Sequence, residues 1–249
     1  MLSDLYISSV IWNKPIPSNS YLYDIPAIRY LQGNKELPLH SRVTFFVGEN
    51  GTGKSTLLEA IAVAYGFNPE GGSRNFSFST NASHSALWEH LVLEKRGYAV
   101  DGFFLRAESF YNVASYIDEL DKQPAAAPPV IRSYGGTSLH HQSHGESFLA
   151  LVQHRFGGNG IYILDEPEAA LSPMRLLTLL VEMDRLVKQN SQFIIATHSP
   201  ILMAFPDAEI YEFSERGIRA VEYEDTEHYR ISRQFFGDTK RMLEQLLEK

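Results

Sequence analysis

Residues that could bind phosphate are concentrated in one glycine-rich stretch of the sequence. Residues 48–55 have the pattern GxxxxGK[ST], and with the residue that follows they include Asn50, Gly51, Thr52, Gly53, Lys54, Ser55 and Thr56. The glycines of this pattern allow backbone conformations in which consecutive N–H groups point toward phosphate oxygens. The lysine would reach the β- and γ-phosphates of a nucleotide, and the serine hydroxyl that follows it would ligate Mg²⁺. The stretch therefore predicts a site for nucleotide phosphates.

The segments on either side of this loop favour the same interpretation. Residues 43–47 are β-branched and aromatic, as expected of a buried strand. Residues 55–65 are good helix formers, and Gly66 is a plausible C-cap. Strand, glycine-rich turn and helix is the context in which the pattern indicates a phosphate site.

Two later apolar runs also end in polar side chains. Asp165 and Glu166 follow residues 161–164, and His198 follows residues 193–196. Both runs predict buried strands. Because ligands of open α/β sheets bind at the carboxyl ends of the strands, these side chains are candidates for the same site as the phosphate loop.

Composition narrows the class of protein. The chain has 249 residues, 44% of them hydrophobic, which suits one sizeable domain or one domain with a lobe. The absence of cysteine excludes disulfides, thiolate metal sites and cysteine nucleophiles. A net charge of −8 argues against a nonspecific DNA-binding surface, although a local basic groove formed on dimerisation stays open. Without a leader pattern or an apolar run approaching ~20 residues, we expect a soluble, cytoplasmic protein.

The rest of the chain predicts the elements around these sites. Strands are expected at residues 5–12 and 21–31, and hairpins at 86–106 and 208–223. Pro26 would break the second strand, and the first hairpin would turn near Arg96 and Gly97. Helices are expected at residues 110–120, from 143 onward, at 174–189 and, in two pieces, at 224–249. Tyr30, about two dozen residues before the lysine, could stack on adenine or could be a core residue.

Four segments occur in the order found in the ABC-type ATPase superfamily, which the chain resembles from about residue 43 to residue 200. Residues 48–55 match the Walker A loop, and residues 161–166 are similar to Walker B. Ser143-His144-Gly145-Glu146 looks like a diverged LSGGQ signature, preceded by glutamine where the family has leucine, and His198 matches the switch histidine. The soluble RecF, SMC and OLD-like branch is more similar than transporter subunits are.

The resemblance implies an α/β P-loop NTPase fold of the ABC type, with a mixed sheet flanked by helices, an antiparallel β lobe and a helical signature region. Residues 1–249 would form a single ATPase domain. About residues 67–160 would form a hairpin and helical lobe inserted between Walker A and Walker B.

The resemblance also implies residue roles in binding and hydrolysing ATP with Mg²⁺. Asp165 would hold the metal through its water shell, and Glu166 would orient and deprotonate the attacking water. His198 would contact the γ-phosphate. Glu108 lies where the family has its Q-loop glutamine and could serve near Mg²⁺, with Ser109 as the neighbouring candidate.

Family geometry further implies an ATP-sandwich homodimer, in which Ser143, Gly145 and Glu146 complete the nucleotide site of the other copy. A nucleic-acid or protein partner would receive the work, and a membrane partner is not expected. Two alternatives stay open: the energy-coupling subunit of a membrane transporter, and a nucleotide-binding regulator with negligible turnover. The histidines at positions 140, 141, 144 and 154 do not predict zinc, because no carboxylate or thiolate completes a set there.

Overall fold

A computed structural model describes residues 5–17, 19–74, 85–106, 110–122 and 129–247. The strands are Ile7–Trp12 (β1), Glu36–Pro38 (β2), Val43–Gly48 (β3), Leu91–Lys95 (β4), Asp101–Arg106 (β5), Gly160–Asp165 (β6), Gln192–Ala196 (β7), Glu209–Ser214 (β8) and Gly217–Val221 (β9). The helices are Pro26–Asn34 (α1), Lys54–Tyr65 (α2), Phe110–Leu120 (α3), His144–Arg155 (α4), Pro173–Lys188 (α5), Pro200–Met203 (α6), Glu227–Gly237 (α7) and Thr239–Leu246 (α8).

The main sheet has six strands in the order β5-β6-β7-β3-β8-β9. All neighbours are parallel except β8 and β9, which form an antiparallel hairpin. Strands β3, β6 and β7 are buried almost throughout, which explains their continuous apolar sequences. Because β6, β7 and β3 are adjacent and parallel, their carboxyl ends lie at one edge of the sheet.

A second, three-stranded antiparallel sheet has the order β2-β1-β4. The fully buried side chain of Gln192, at the start of β7, joins it to the main sheet. The Gln192 Oε1 atom accepts hydrogen bonds from the backbone N–H groups of Tyr6 and Ile7, both at 2.9 Å. Its Nε2 atom donates to the Ile7 carbonyl at 2.8 Å. One amide thus satisfies three backbone groups at the junction of the sheets.

The hydrophobic core is divided between the two faces of the main sheet. Alternate side chains of β3 separate, with Phe46 in one cluster and Phe45 and Val47 in the other. The first cluster packs against α1, α2 and the antiparallel sheet, and the second against α3, α4 and α5. Helices therefore cover the sheet on both sides, and the mixed α/β fold with an antiparallel β lobe is confirmed.

The strand predicted at residues 21–31 is wrong. The chain forms a short 3-10 helix at Tyr21–Asp24 and then α1, which begins at Pro26. Pro26 occupies the first turn, where a missing backbone N–H costs nothing, so it starts a helix here rather than interrupting a strand.

The hairpin predicted at residues 86–106 is also wrong. Strand β4 pairs with β1 in the antiparallel sheet, whereas β5 pairs with β6 in the main sheet. Phe103, Phe104 and Leu105 are all buried, so β5 has core on both faces and belongs to a covered parallel sheet. The turn near Arg96 and Gly97 leads from one sheet to the other.

The other element predictions on described residues are confirmed. These are the hairpin of β8 and β9, the helices α3, α4 and α5, and the two helical pieces α7 and α8 that meet at Asp238. Among the described helices, none is long and apolar enough to cross a membrane.

Candidate nucleotide site

The glycine-rich loop connects β3 to α2, as its flanking sequences predict. Gly48, Gly51 and Gly53 have φ angles of +122°, +82° and +102°, a region open chiefly to glycine. A Cβ atom on Gly48 would lie 2.0 Å from the Phe213 carbonyl oxygen. At Gly53 it would lie 2.4 Å from a methyl group of Ile25, just before α1. The backbone of the loop is therefore closely packed, at Gly48 against β8 and at Gly53 against Ile25.

Other residues of the loop divide between its surface and its base. Asn50 and Gly51 are exposed, whereas Thr52 is buried and its hydroxyl donates to the Glu49 carbonyl at 2.8 Å. Thr56, in the first turn of α2, is partly exposed.

Lys54 is the cation at the centre of the loop. Its side chain is buried, and Nζ donates to the carbonyls of Gly48 at 2.6 Å and Glu49 at 2.8 Å. Burial lowers the pKa of Lys54, and the neighbouring carboxylates, Glu166 foremost, oppose that shift. The ammonium group is thus already positioned inside the turn that the glycines form.

Ser55 and Asp165 meet across the gap between α2 and β6. The Ser55 hydroxyl donates to Asp165 Oδ1 at 2.9 Å, although the two residues are 110 positions apart. Asp165 is the last residue of β6 and Ser55 lies in the first turn of α2. A hydroxyl and a carboxylate oxygen are the hard ligands that Mg²⁺ accepts beside phosphate and water. These two residues fit a phosphate-bound magnesium ion.

Glu166 follows β6 in a conformation rare for residues with a side chain. Its φ angle is +49°, and its backbone N–H donates to the Ala196 carbonyl, at the end of β7, at 2.9 Å. The side chain is 42% exposed, and its Oε1 atom lies 3.7 Å from His198 Nε2. The backbone bond between strand ends brings the carboxylate and the imidazole together.

His198 is held from two sides. Its backbone N–H donates to Glu168 Oε1, and its Nδ1 lies 3.1 Å from Nε2 of His228, in the first turn of α7. Burial, and then the charge of Lys54, lowers the pKa of His198. Burial also raises the pKa of Glu168. The sequence reasoning missed both partners; Glu168 belongs to the acidic segment after β6, whereas nothing local marks His228.

Arg106 is a further charged residue that the sequence reasoning missed. Its Nη1 atom bonds Oε2 of the buried Glu59 at 2.6 Å, and its Nε lies 3.9 Å from Asp165 Oδ2. The pairing of β5 with β6 places Arg106 beside Asp165 in register. The sequence analysis predicts that β5 pairs with β4 in a hairpin, and that pairing would not place Arg106 beside Asp165.

The predicted signature segment lies at the start of α4. Glu146 accepts hydrogen bonds from the backbone N–H of Ser143 at 3.0 Å and from its hydroxyl at 2.6 Å. Arg175 of α5 lies 3.1 Å from Glu146, and a Cβ atom on Gly145 would lie 2.5 Å from the same arginine. Ser143 and His144 remain exposed.

Three predicted residues remain, one on α1 and two in a segment outside the described residues. Tyr30, in α1, is partly buried and packs against Gly217, where an added Cβ would lie 2.8 Å from its ring. That contact accounts for the side chain as part of the core, and stacking on adenine stays a prediction. Glu108 and Ser109 lie outside the described residues.

Comparisons with known proteins agree with this geometry. A model of an AAA domain matches residues 25–113, and a model described as "AAA domain, putative AbiEii toxin, Type IV TA system" matches residues 132–204. The ribose import ATP-binding protein RbsA of Yersinia pestis is 29% identical over 191 residues, covering 68% of this chain and 34% of RbsA. These matches support an ABC-type P-loop ATPase superfamily for the chain.

Two further similar proteins show the same relationship at lower identity. A putative ABC transporter ATP-binding protein of Geobacter sulfurreducens is 25% identical, covering 61% of this chain and 58% of that protein. The solved structure of a putative metal-chelate type ABC transporter in an inward-facing conformation superposes with a TM-score of 0.51 at 13% identity. It covers 92% of this chain and 88% of that chain, and shows the fold. The chain spans between 9% and 58% of the length of the curated relatives it matches.

Proposed function

We propose that this protein binds MgATP on the loop between β3 and α2 and hydrolyses its γ-phosphate. The observation that carries the proposal is the 2.9 Å contact between Ser55 and Asp165, with Lys54 in the adjoining turn. The loop supplies backbone N–H groups and the N-terminus of α2, both of which favour an anion. Four carboxylates, Glu49, Asp165, Glu166 and Glu168, act electrostatically on Lys54, so a nucleotide needs further positive charge. When bound, Mg²⁺ would supply that charge between Ser55 and Asp165.

Glu166 would accept the proton of the attacking water. Its carboxylate is partly exposed beside the loop and close to His198, and its backbone is tied to the end of β7. His198 would contact the γ-phosphate through Nε2, the ring nitrogen that faces Glu166. A base and a hydrogen-bond donor on neighbouring strand ends are the arrangement that orients water for attack on phosphorus.

Phosphate release in saturating MgATP tests this assignment. Because a positioned general base contributes ~10²–10⁴-fold, Glu166→Gln should lower kcat by about that factor while retaining ATP binding. Lys54→Ala should instead lose nucleotide affinity. Glu89→Gln, the same change at an exposed residue away from the loop, is the control and should leave the rate unchanged. Turnover of Glu166→Gln at the wild-type rate would overturn the assignment of the base.

We also propose that the working form is a head-to-tail homodimer with composite sites. The surfaces it requires are accessible, because Asn50 and Gly51 on one side and Ser143 and His144 on the other are exposed. Ser143, Gly145 and Glu146 would then close the nucleotide site of the other copy. Glu166→Gln should accumulate as a dimer in MgATP on size-exclusion chromatography.

A mixing experiment separates action in trans from action within one chain. Lys54→Ala destroys the phosphate loop of its own copy, and Ser143→Arg blocks the signature segment of its own copy. Each variant alone should be inactive. An equal mixture should recover about a quarter of wild-type turnover, because half of the dimers are mixed and each has one intact site. A mixture as inactive as its components contradicts composite sites.

We propose only the class of partner on which the protein acts. A protein or nucleic-acid partner follows from the resemblance to the soluble branch, and stimulation of phosphate release by duplex or single-stranded DNA tests the second. Two of the similar proteins are ATP-binding proteins of transporters, which favours one alternative, the energy-coupling subunit of a transporter. Co-purification with a membrane protein would support that alternative.

A further inference from the structure

The first turn of α7 places a second imidazole directly against His198. His228 Nε2 lies 3.1 Å from His198 Nδ1, and the ring centroids are 5.3 Å apart with a tilt of 55° between the planes. One of these nitrogens must donate the shared hydrogen and the other must accept it. The direction of this bond therefore fixes which nitrogen of His198 carries its own proton.

Burial favours the neutral form of both rings, and a neutral imidazole has a single ring proton to place. Burial, followed by the charge of Lys54, lowers the pKa of His198. Burial, followed by His198 itself, lowers the pKa of His228. A neutral imidazole has one donor and one acceptor nitrogen, so a bond at Nδ1 decides what Nε2 presents.

The surroundings of His198 Nε2 favour a proton there. This nitrogen lies 3.7 Å from Glu166 Oε1, and carboxylate and phosphate oxygens accept hydrogen bonds without donating any. An unprotonated Nε2 would turn a lone pair toward these oxygens. His198 Nδ1 is then the acceptor, and His228 Nε2–H is the donor.

The chain around His228 is anchored to the segment after β7 that contains His198. Tyr223 donates its hydroxyl to the carbonyl of Pro200, two residues after His198, at 3.0 Å. Thr226, which is fully buried, caps α7 by accepting from the Tyr229 N–H at 3.3 Å and donates to the Tyr223 carbonyl at 2.8 Å. These bonds hold the first turn of α7 against the start of α6, so the position of His228 is fixed by the fold.

We propose that His228 is a positioning residue, whose Nε2–H holds His198 in the tautomer that presents an N–H at Nε2 to the γ-phosphate. This proposal rests on the proposed function, in which His198 contacts the γ-phosphate. His228 acts through His198 and does not itself touch the nucleotide. Without the bond, His198 divides between two tautomers, and the one protonated on Nδ1 repels a phosphate oxygen.

Two-bond ¹H–¹⁵N correlation spectra of protein labelled with ¹⁵N-histidine test this directly, without nucleotide and at neutral pH. His198→Ala assigns the signals of His198. We expect wild-type His198 to carry its proton on Nε2, and His228→Phe to shift it toward a mixture of tautomers. His228→Gln should preserve the wild-type pattern, because its amide can donate to Nδ1. Gln234→Ala, an exposed position on the same helix, should leave the signals unchanged. Wild-type His198 protonated on Nδ1, or a His228→Phe spectrum identical to wild type, overturns the proposal.

Turnover measurements distinguish this proposal from the function beneath it. One neutral hydrogen bond is worth ~1 kcal/mol, so His228→Phe should lower kcat roughly 5-fold and leave the affinity for ADP unchanged. The His228→Gln variant should have the kcat of wild type. If His198→Ala hydrolyses ATP at the wild-type rate, the role of His198 in the proposed function is wrong. If His198→Ala is impaired while His228→Phe turns over as wild type does, the positioning role alone is wrong.

Discussion

Gly48 is the residue at which the main sheet and the phosphate loop meet, and it has no room for a side chain. Its φ angle is +122°, and an added Cβ would lie 2.0 Å from the carbonyl oxygen of Phe213 on β8. Gly48→Ala must therefore separate β3 from β8 as well as strain the backbone. We expect a loss of roughly 3 kcal/mol or more in the free energy of unfolding, measured by urea denaturation.

Gly51→Ala is the matched control for this prediction. Its φ angle of +82° is also unfavourable, but no atom lies within 4 Å of the added Cβ. Only backbone strain of about 1–2 kcal/mol should remain. Equal losses for the two variants would mean that contact with β8 contributes nothing.

Asp101 predicts a dependence of stability on pH. Burial raises its pKa, but hydrogen bonds from the Gly157 N–H, Arg155 and the Tyr162 hydroxyl together outweigh burial and hold the pKa below 3.8. A lowered carboxyl pKa stabilises the fold above that value and loses this contribution as pH falls through the folded-state pKa. Asp101→Asn should therefore lower the unfolding free energy at pH 7 by on the order of 3 kcal/mol.

The difference between wild type and Asp101→Asn should shrink as pH falls from 3.8 through the lower folded-state pKa of Asp101, where the carboxylate is protonated and loses its charge. Thermal unfolding across pH 7 to pH 3 measures it. Asp184→Asn is the control, since its exposed pair with Lys188 should contribute less than about 1 kcal/mol at any pH. A difference that stays constant with pH would contradict an ionised Asp101.

At the residue scale, the sequence could predict the site only where spacing along the chain carries the information. Lys54, Ser55, Asp165 and His198 follow apolar strands, and parallel strands bring such ends together. His228 and Arg106 reach the same place through tertiary packing, His228 from a C-terminal helix and Arg106 from a strand whose partner was mistaken. No local pattern encodes either approach.

At the scale of elements, the side chain of Gln192 joins the antiparallel sheet to the main sheet. Replacing it by leucine leaves the N–H groups of Tyr6 and Ile7 and the Ile7 carbonyl without their partner at a buried junction. Each unsatisfied buried group costs ~1–3 kcal/mol, so Gln192→Leu should lower stability by about 3 kcal/mol or more. The melting temperature should fall by roughly 6–12 °C for a chain of this size.

Gln234→Leu makes the same substitution on an exposed face of α7 and should change the melting temperature little. Circular dichroism of both variants provides the comparison. If Gln192→Leu melts as the control does, the amide is not what joins β1 to β7.

The errors at the element scale have a common physical origin. Local patterns predicted a hairpin at β4 and β5, but hairpins and sheet-to-sheet connections share the same turn residues. The discriminating feature was the unbroken apolar run Phe103, Phe104 and Leu105, which indicates a strand covered on both faces. For α1, the position of Pro26 favours a helix start as readily as a break in a strand, so the residues around it do not decide between the two.

For the molecule as a whole, nucleotide binding should appear as stabilisation. A ligand that binds only the folded state adds ~2.7 kcal/mol at 100 times its Kd, so MgATP should raise the melting temperature of Glu166→Gln by roughly 5–10 °C. If binding assembles the proposed homodimer, the increase should grow with protein concentration. The same scan with Lys54→Ala should show no increase. A shift in Lys54→Ala equal to that of Glu166→Gln would place the nucleotide elsewhere.

The attachment of α7 to His198 has a consequence that extends beyond the nucleotide site. No residue of helices α7 and α8 is fully buried, and their exposed surface includes Ile231, Phe236 and Leu246. Thermodynamic linkage requires that any molecule whose affinity for these helices differs between the free and ATP-bound states alters ATP affinity by the same factor. A molecule that binds α7 and α8 with different affinities in the two states would therefore change the affinity of the phosphate loop for ATP, and ATP would change the affinity of the helices for that molecule by the same factor.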